Sequence, residues 1–183
     1  MLKTEFCERF DLDYPIIQAP MAGVSNPRLA LEVLKAGALP SLGCGAMSAV
    51  VLDKSISEFM SLASTDKFPL VNINFFAHQE EQIDSAANTA WLKELTPLFE
   101  GFEAQAPDAL NVIYHSLLTE DERVDVLLEK RPQIVSFHFG LPSATVLNKL
   151  KEAGIAIFAS ACHVDEAQEL ELAEVDYIVA QGY

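Results

Sequence analysis

The sequence predicts an α/β protein with a parallel sheet, because short apolar runs alternate along the chain with longer amphipathic stretches. Polar or glycine residues follow directly after most of these runs, as expected where parallel strands end at a ligand-binding edge. The 183 residues are 50% apolar, so the chain can bury a sizeable core and has about the length of one domain.

Six apolar runs are predicted as strands, with helices between them. The predicted strands cover residues 15–19, 39–42, 70–74, 134–138, 155–159 and 177–181. The predicted helices cover residues 27–34, 56–62, 80–99, 121–130, 143–153 and 164–172. Pro27 suits a first helical turn, with Ser25 or Asn26 as the N-cap and Gly37 as the stop. Residues 110–114 are either an extra strand or a buried link, because periodicity does not settle so short an apolar run.

This alternation suits either a doubly wound sheet or part of a (β/α)8 barrel. A complete barrel usually needs about 250 residues, so we expect residues 1–183 to form a single, incomplete TIM-barrel domain of about six of the eight βα units. A sheet that ended at residues 177–181 would expose apolar surface and unpaired backbone groups. We therefore expect a fragile protein that forms a dimer or a larger homo-oligomer.

Charge and composition exclude several classes of partner and site. The 12 Lys and Arg against 27 Asp and Glu give a net charge of −15, which argues against binding nucleic acid or an anionic membrane surface. No apolar run approaches the roughly 18 residues of a membrane span, and residues 1–13 are charged where a signal peptide is apolar. We predict a cytoplasmic protein with no metal site, whose three cysteines are reduced thiols.

Candidate ligand-binding residues lie at the carboxyl ends of the predicted strands, where parallel α/β proteins bind ligands. Residues 18–23, QAPMAG, have small side chains that would let a flat ligand approach the backbone, although an ordinary turn has a similar composition. Asn72 and Asn74 lie on one face of a strand. Their amides could bind a heterocycle or bond neighbouring backbone. Gln181 is a further amide at a strand end, followed by Gly182.

His138 is the candidate general base. It lies at a strand end between Phe137 and Phe139 and before Gly140, and a partly apolar environment could tune the imidazole pKa for use near neutral pH. The alternative is a core histidine that is satisfied by a carbonyl group. The other histidines lack the spacing of metal ligands, and Cys44 is interpreted as a small packing residue.

Five segments together resemble the nitronate monooxygenase family, formerly called 2-nitropropane dioxygenases. They are residues 18–23, 36–39, 74–76, 136–140 and 180–182, and they occur with the order and spacing of the family. The resemblance runs from about Tyr14 to the end of the sequence, and the SFHFG motif around His138 is its most specific part. It implies an FMN-dependent (β/α)8 barrel that oxidises alkyl nitronates or nitroalkanes with dioxygen, giving a carbonyl compound and nitrite.

The same resemblance implies roles for individual residues. The backbone of Met21, Ala22 and Gly23 would lie against the flavin, and the side chains of Asn74 and Gln181 would hydrogen-bond FMN. His138 would be the catalytic histidine, which acts as a base on neutral nitroalkanes or assists the bound nitronate. The redox chemistry would belong to the flavin.

The sequence departs from the family pattern in two ways. Gly37 and Ala38 stand where the family usually has paired glycines, and strands seven and eight, whose loops commonly bind phosphate in barrels, are missing. We therefore expect a truncated or split member of the family, whose FMN affinity and turnover are reduced or lost unless the missing part is supplied. Two alternatives remain: a flavin-dependent enoyl-acyl-carrier-protein reductase, whose barrel looks similar, or a non-catalytic remnant that associates through its open sheet edge.

Overall fold

Five parallel strands form one sheet in the computed structural model, which describes residues 4–63, 69–80 and 84–182. In sheet order and in chain order they are β1 (Ser41–Gly43), β2 (Asn72–Phe76), β3 (Ile134–His138), β4 (Ala156–Ala161) and β5 (Tyr177–Ala180). A doubly wound sheet reverses its strand order at a switch point, whereas a barrel adds each strand beside the previous one. The predicted fold, an incomplete (β/α)8 barrel of the α/β class, is confirmed.

Helices connect and cover the strands. Within the described residues they are α1 (Glu5–Phe10), α2 (Pro27–Lys35), α3 (Ala49–Leu62), α4 (Ser85–Gly101), α5 (Glu122–Lys130), α6 (Ala144–Glu152) and α7 (Val164–Leu172). Asn26 is the N-cap of α2, with its side-chain oxygen accepting from the N–H groups of Arg28 and Leu29, and Pro27 opens the first turn as predicted. No helix in the described parts of the chain has the length and apolarity to span a membrane.

The predicted first strand, residues 15–19, is wrong as a strand. Ile17 makes only an isolated parallel bridge with Leu39, although the segment does lie beside the second predicted strand. The next hydrogen bonds are missing on both sides of this bridge, because Pro20 has no N–H to donate and the Ile16 N–H donates instead to the Tyr14 carbonyl at 2.8 Å.

The region between β2 and β3 also differs from its prediction. Residues 110–114 form neither a strand nor a buried link, but an irregular and exposed segment. The helix predicted over residues 80–99 is formed as α4, which begins after its N-cap Asp84. Residues 81–83, which belonged to that prediction, lie outside the described residues. No side chain of α4 is buried. The apolar residues that predicted this helix therefore do not face the core.

The main core lies between the sheet and the helices α3, α5 and α6. Ile73 and Phe75 of β2 and Val135 and Phe137 of β3 point to this side and are buried against the helices. The opposite face of the sheet carries polar residues over its carboxyl half. An aromatic cluster of Phe6, Phe10, Phe158 and Tyr177, with centroids 4.8–6.2 Å apart, packs α1 against β4 and β5.

We predict that Phe59→Ala in α3 destabilises the protein by about 3–5 kcal/mol, because the fully buried ring leaves a cavity in the main core. The matched control is Phe102→Ala, where the ring is 79% exposed and the free energy of unfolding should change by less than about 0.5 kcal/mol. Urea unfolding of both variants measures the difference. Similar losses at the two positions would contradict this assignment of the core.

Candidate functional site

An open cavity of about 400 Å³ lies on the face of the sheet that points away from the helices. It is lined by residues of β2, β3, β4 and β5 and by the segment before α2, and it brings together Asn74, His138 and Gln181. Phe158 belongs both to this lining and to the aromatic cluster packed by α1. The cluster is therefore the floor of the cavity.

Met21, Ala22 and Gly23 do not line this cavity; Ala19 and Pro20 from the same segment do. Met21 and Gly23 are exposed, and the Met21 N–H is already used, since it donates to Ser25 Oγ at 2.8 Å. The structure thus places these three residues at the rim of the site, next to the part of the segment that enters it.

Two partly buried hydrogen bonds of Gln18 order the rim segment, residues 18–25, and one of them reaches β1. The Gln18 amide donates from Nε2 to Ser25 Oγ at 2.8 Å, and its Oε1 accepts from the Ser41 N–H at 3.2 Å. Gly43 allows the close approach, because a Cβ there would lie 2.9 Å from the carbonyl carbon of Met21. The backbone of the rim segment can lie this close only while position 43 has no side chain.

The two asparagines of β2 lie on the cavity face, as the alternation of the strand predicted. Asn74 donates from Nδ2 to Ser136 Oγ at 2.9 Å and to the Ser136 carbonyl at 3.3 Å. Asn72 donates to Ser41 Oγ at 3.0 Å, but its buried Oδ1 has no hydrogen-bond partner. A buried acceptor without a partner is costly, so Asn72 Oδ1 is suited to a donor from a ligand or a water molecule.

His138 is the last residue of β3, and its imidazole faces the cavity. Nδ1 is in hydrogen-bond contact with Ser160 Oγ on β4, and the ring lies beside Phe139 and Phe76, with centroids 3.8 and 6.3 Å away. Burial lowers the pKa of His138 from its usual 6.5, and the nearby Glu166 charge opposes that shift only in part. The imidazole is consequently neutral at pH 7 and can accept a proton.

The turn after His138 depends on glycine. Phe139 has φ +69° and Gly140 has φ +128°, so the chain leaves β3 through two residues of positive φ. A Cβ at Gly140 would lie 3.0 Å from the Ala77 carbonyl oxygen. Ala77 also donates its N–H to the His138 carbonyl at 2.9 Å, which fixes the end of β3 to the chain that leaves β2.

Among the described residues, neither a reactive Cys44 thiol nor a cluster of metal ligands is found outside this site. Cys44 is buried, and burial raises its pKa to about 12, so the thiol stays protonated and its interpretation as a packing residue is confirmed. Among the described residues there is no group of three or more His, Cys, Asp and Glu side chains that could hold a metal ion.

The lining of the cavity fits the ring system of a flavin. Aromatic and aliphatic side chains provide apolar walls, Asn74 and Gln181 provide amides, and the unpaired Asn72 Oδ1 can accept from a ring N–H. The lining contains no Lys or Arg. These residues can therefore hold the heterocycle, but they offer no cation to a phosphate group.

We predict that Gly43→Ala displaces the rim segment and destabilises the protein by about 1–3 kcal/mol, because the new methyl group meets backbone atoms that cannot rotate away. Gly101→Ala is the control, since a Cβ there meets nothing within 4 Å and alanine in a helix is favoured by up to about 1 kcal/mol. Thermal or urea unfolding compares them. If Gly43→Ala unfolds like the unmodified protein, the rim segment is not held on β1 in this way.

Comparison with known proteins agrees with the resemblance in the sequence. The model of the family described as nitronate monooxygenase matches residues 3–183. The nitronate monooxygenase of Paraburkholderia phytofirmans is 53% identical over 171 residues, which are 93% of this chain and 46% of that protein. That of Pseudomonas aeruginosa is 42% identical over 177 residues, covering 97% of this chain and 49% of its own length. The chain thus spans about half the length of these curated relatives.

Two solved structures are similar to this chain in fold. The nitroalkane oxidase of Streptomyces ansochromogenes superposes with a TM-score of 0.78 at 31% identity, covering 93% of this chain and 46% of its own. FabK of Thermotoga maritima has a TM-score of 0.68 at 24% identity over 98% of this chain and 44% of its own, and that likeness concerns the fold alone. Because the family model matches nearly the whole sequence, the chain belongs to the nitronate monooxygenase family.

Proposed function

We propose that the cavity is the site of an FMN-dependent oxidoreductase that oxidises alkyl nitronates, and nitroalkanes after deprotonation, with dioxygen to a carbonyl compound and nitrite. The observation that carries this proposal is a neutral imidazole, His138, facing a largely apolar cavity that fits a flavin ring. Family membership supports the substrate class. Because the chain spans about half of its relatives, activity of these 183 residues is itself part of the proposal.

His138 acts on the carbon acid. A neutral nitroalkane has a C–H bond next to the nitro group; the imidazole takes that proton on its free ring nitrogen, and the electron pair of the broken bond moves onto the nitro oxygens. The product is the nitronate anion beside an imidazolium cation. A substrate supplied as the nitronate has already lost this proton, so it needs no base.

The other cavity residues would bind and orient the cofactor. Asn74 and Gln181 would hydrogen-bond the flavin ring, Asn72 Oδ1 would accept from a ring donor, and the backbone of residues 21–23 would contact the cofactor from the rim. FMN, when bound, would supply the redox chemistry with dioxygen. Phe76 and Phe139 lie beside the imidazole, and the partial burial of His138 disfavours its charged form and lowers its pKa.

We predict that Asn74→Ala weakens FMN retention by about tenfold, since it removes one hydrogen-bonding amide and leaves the buried Ser136 hydroxyl without its donor. The protein is mixed with FMN and desalted, and bound flavin is read from the visible absorbance. Asn148→Ala on α6, where the side chain is exposed, is the control and should retain as much flavin as the unmodified chain. Equal flavin content in all three would make Asn74 structural, and a colourless unmodified chain would contradict FMN binding by these 183 residues alone.

We predict that His138→Asn lowers kcat/KM for neutral nitroalkanes by about 10²- to 10⁴-fold, the usual contribution of a general base, and affects preformed nitronates far less. The unmodified enzyme should lose nitroalkane activity as the pH falls through the lowered pKa of His138, below 6.5, because the imidazole must be unprotonated to act. The control is His115→Asn, at an exposed position outside the cavity. Equal losses on both substrate forms would refute the base role.

The alternative enzyme, a flavin-dependent enoyl-acyl-carrier-protein reductase, is tested in the same preparation. It would consume NADH when an enoyl thioester is added, whereas the proposed enzyme would not. The structural likeness to FabK concerns the fold and does not favour this activity.

Association into a homo-oligomer stays a prediction from the sequence. The cytoplasmic location stays a prediction from the sequence.

A further inference from the structure

We propose that Ser160 is a positioning residue that fixes the tautomer of His138, with Nδ1 protonated and the lone pair on Nε2. In this arrangement the serine hydroxyl accepts from Nδ1–H, and Nε2 is the atom that takes a proton from the substrate. The tautomer follows from the contacts of the two side chains; only the use of Nε2 rests on the proposed function.

The sheet register brings the two residues together. In the ladder of β3 and β4, Phe137 lies opposite Ala159. His138 and Ser160 follow directly after this pair, and both side chains line the cavity. His138 Nδ1 and Ser160 Oγ are in hydrogen-bond contact, so the ring nitrogen nearer the sheet is occupied by the serine. Nε2 is left for a ligand.

The direction of this hydrogen bond follows from a third atom. Ser160 Oγ also lies 3.5 Å from the Phe137 carbonyl oxygen, at hydrogen-bonding geometry. A carbonyl can only accept, so this contact favours a hydroxyl hydrogen directed to it, with the serine oxygen accepting from Nδ1–H. The opposite arrangement would give the hydroxyl hydrogen to Nδ1 and leave two acceptors, Ser160 Oγ and the carbonyl, facing each other.

The remaining neighbours of His138 leave this role to Ser160. Glu166, at the start of α7, acts on the imidazole through its charge, but its Oε2 accepts from the N–H groups of Cys162 and His163, at 2.6 and 3.3 Å. The rings on the other sides, Phe76 and Phe139, offer no acceptor in the plane of the imidazole. A hydroxyl orients the ring without adding a negative charge, so the imidazole is held in one tautomer and still remains neutral.

Nitrogen NMR of the 183-residue chain tests the tautomer without FMN. Histidine is labelled with ¹⁵N in the ring, the His138 signals are assigned with His138→Asn, and spectra are recorded at pH 8, where the imidazole is neutral. We expect a protonated Nδ1 and an unprotonated Nε2. In Ser160→Ala the population should move to the Nε2–H tautomer that free imidazole prefers, and Ser160→Thr, which keeps a hydroxyl, should restore the original pattern.

Two results would overturn the assignment: an unmodified chain with Nε2–H, or a Ser160→Ala chain that still has only Nδ1–H. Unchanged signals of the other three histidines show that Ser160→Ala is folded. Because neither result involves substrate, the tautomer is judged independently of the enzyme activity.

Kinetics of the FMN-loaded protein then separate the tautomer from the proposed reaction. Ser160→Ala should lower kcat for neutral nitroalkanes about fivefold to tenfold, as expected for the loss of one neutral hydrogen bond, with little change in KM and in the rate on preformed nitronates. A tautomer change in the spectra with unchanged nitroalkane rates would support the role of Ser160 in fixing the ring and contradict the base role of His138.

Discussion

The pairing register of β2, β3 and β4 is the constraint on which the site depends. It places Asn74 opposite Ser136 and Phe76 opposite His138, so that polar side chains from three strands share one face. A slip of one residue would turn all of them into the core and bring core residues into the cavity. The apolar face prevents this slip, because Ile73, Phe75 and Val135 are fully buried under the helices. Burial on one side of the sheet thereby positions the chemistry on the other side.

The hydrogen bonds and the burial of each polar side chain determine whether it can bind a ligand or accept a proton. Asn74 makes two hydrogen bonds to Ser136, which hold its side chain in place. Asn72 has a buried oxygen without a hydrogen-bond partner, and this oxygen is suited to a donor from a ligand. Burial lowers the pKa of His138 and raises that of Cys44, so both side chains are held in their neutral forms. The two neutral forms differ in reactivity. A neutral imidazole is a base, while a protonated thiol is a poor nucleophile.

The sequence was most informative where a strand is buried and followed by a helix with one apolar face. For β3 and β4 the short apolar runs and the following amphipathic stretches agree, so these strands, their helices and the position of His138 at a strand end could all be predicted. The segment at residues 15–19 has the same composition, but its pairing stops after one bridge, because Pro20 lacks an N–H group and the Ile16 N–H is bonded to Tyr14. Ser160 was not found, since its partner lies 22 residues away along the chain and only the sheet register brings the two together.

The absence of Lys and Arg from the cavity lining bears on which form of the proposed substrate the site would favour. No Lys or Arg lines the cavity, and the chain as a whole carries a net charge of −15, so an anionic nitronate has no permanent cation to pair with there. A neutral nitroalkane can enter without this cost. In the proposed proton transfer to His138, positive charge would develop on the imidazole while negative charge develops on the nitro group. The attraction between them would grow toward the transition state and be absent from the bound neutral substrate, which is the condition under which binding energy increases a rate.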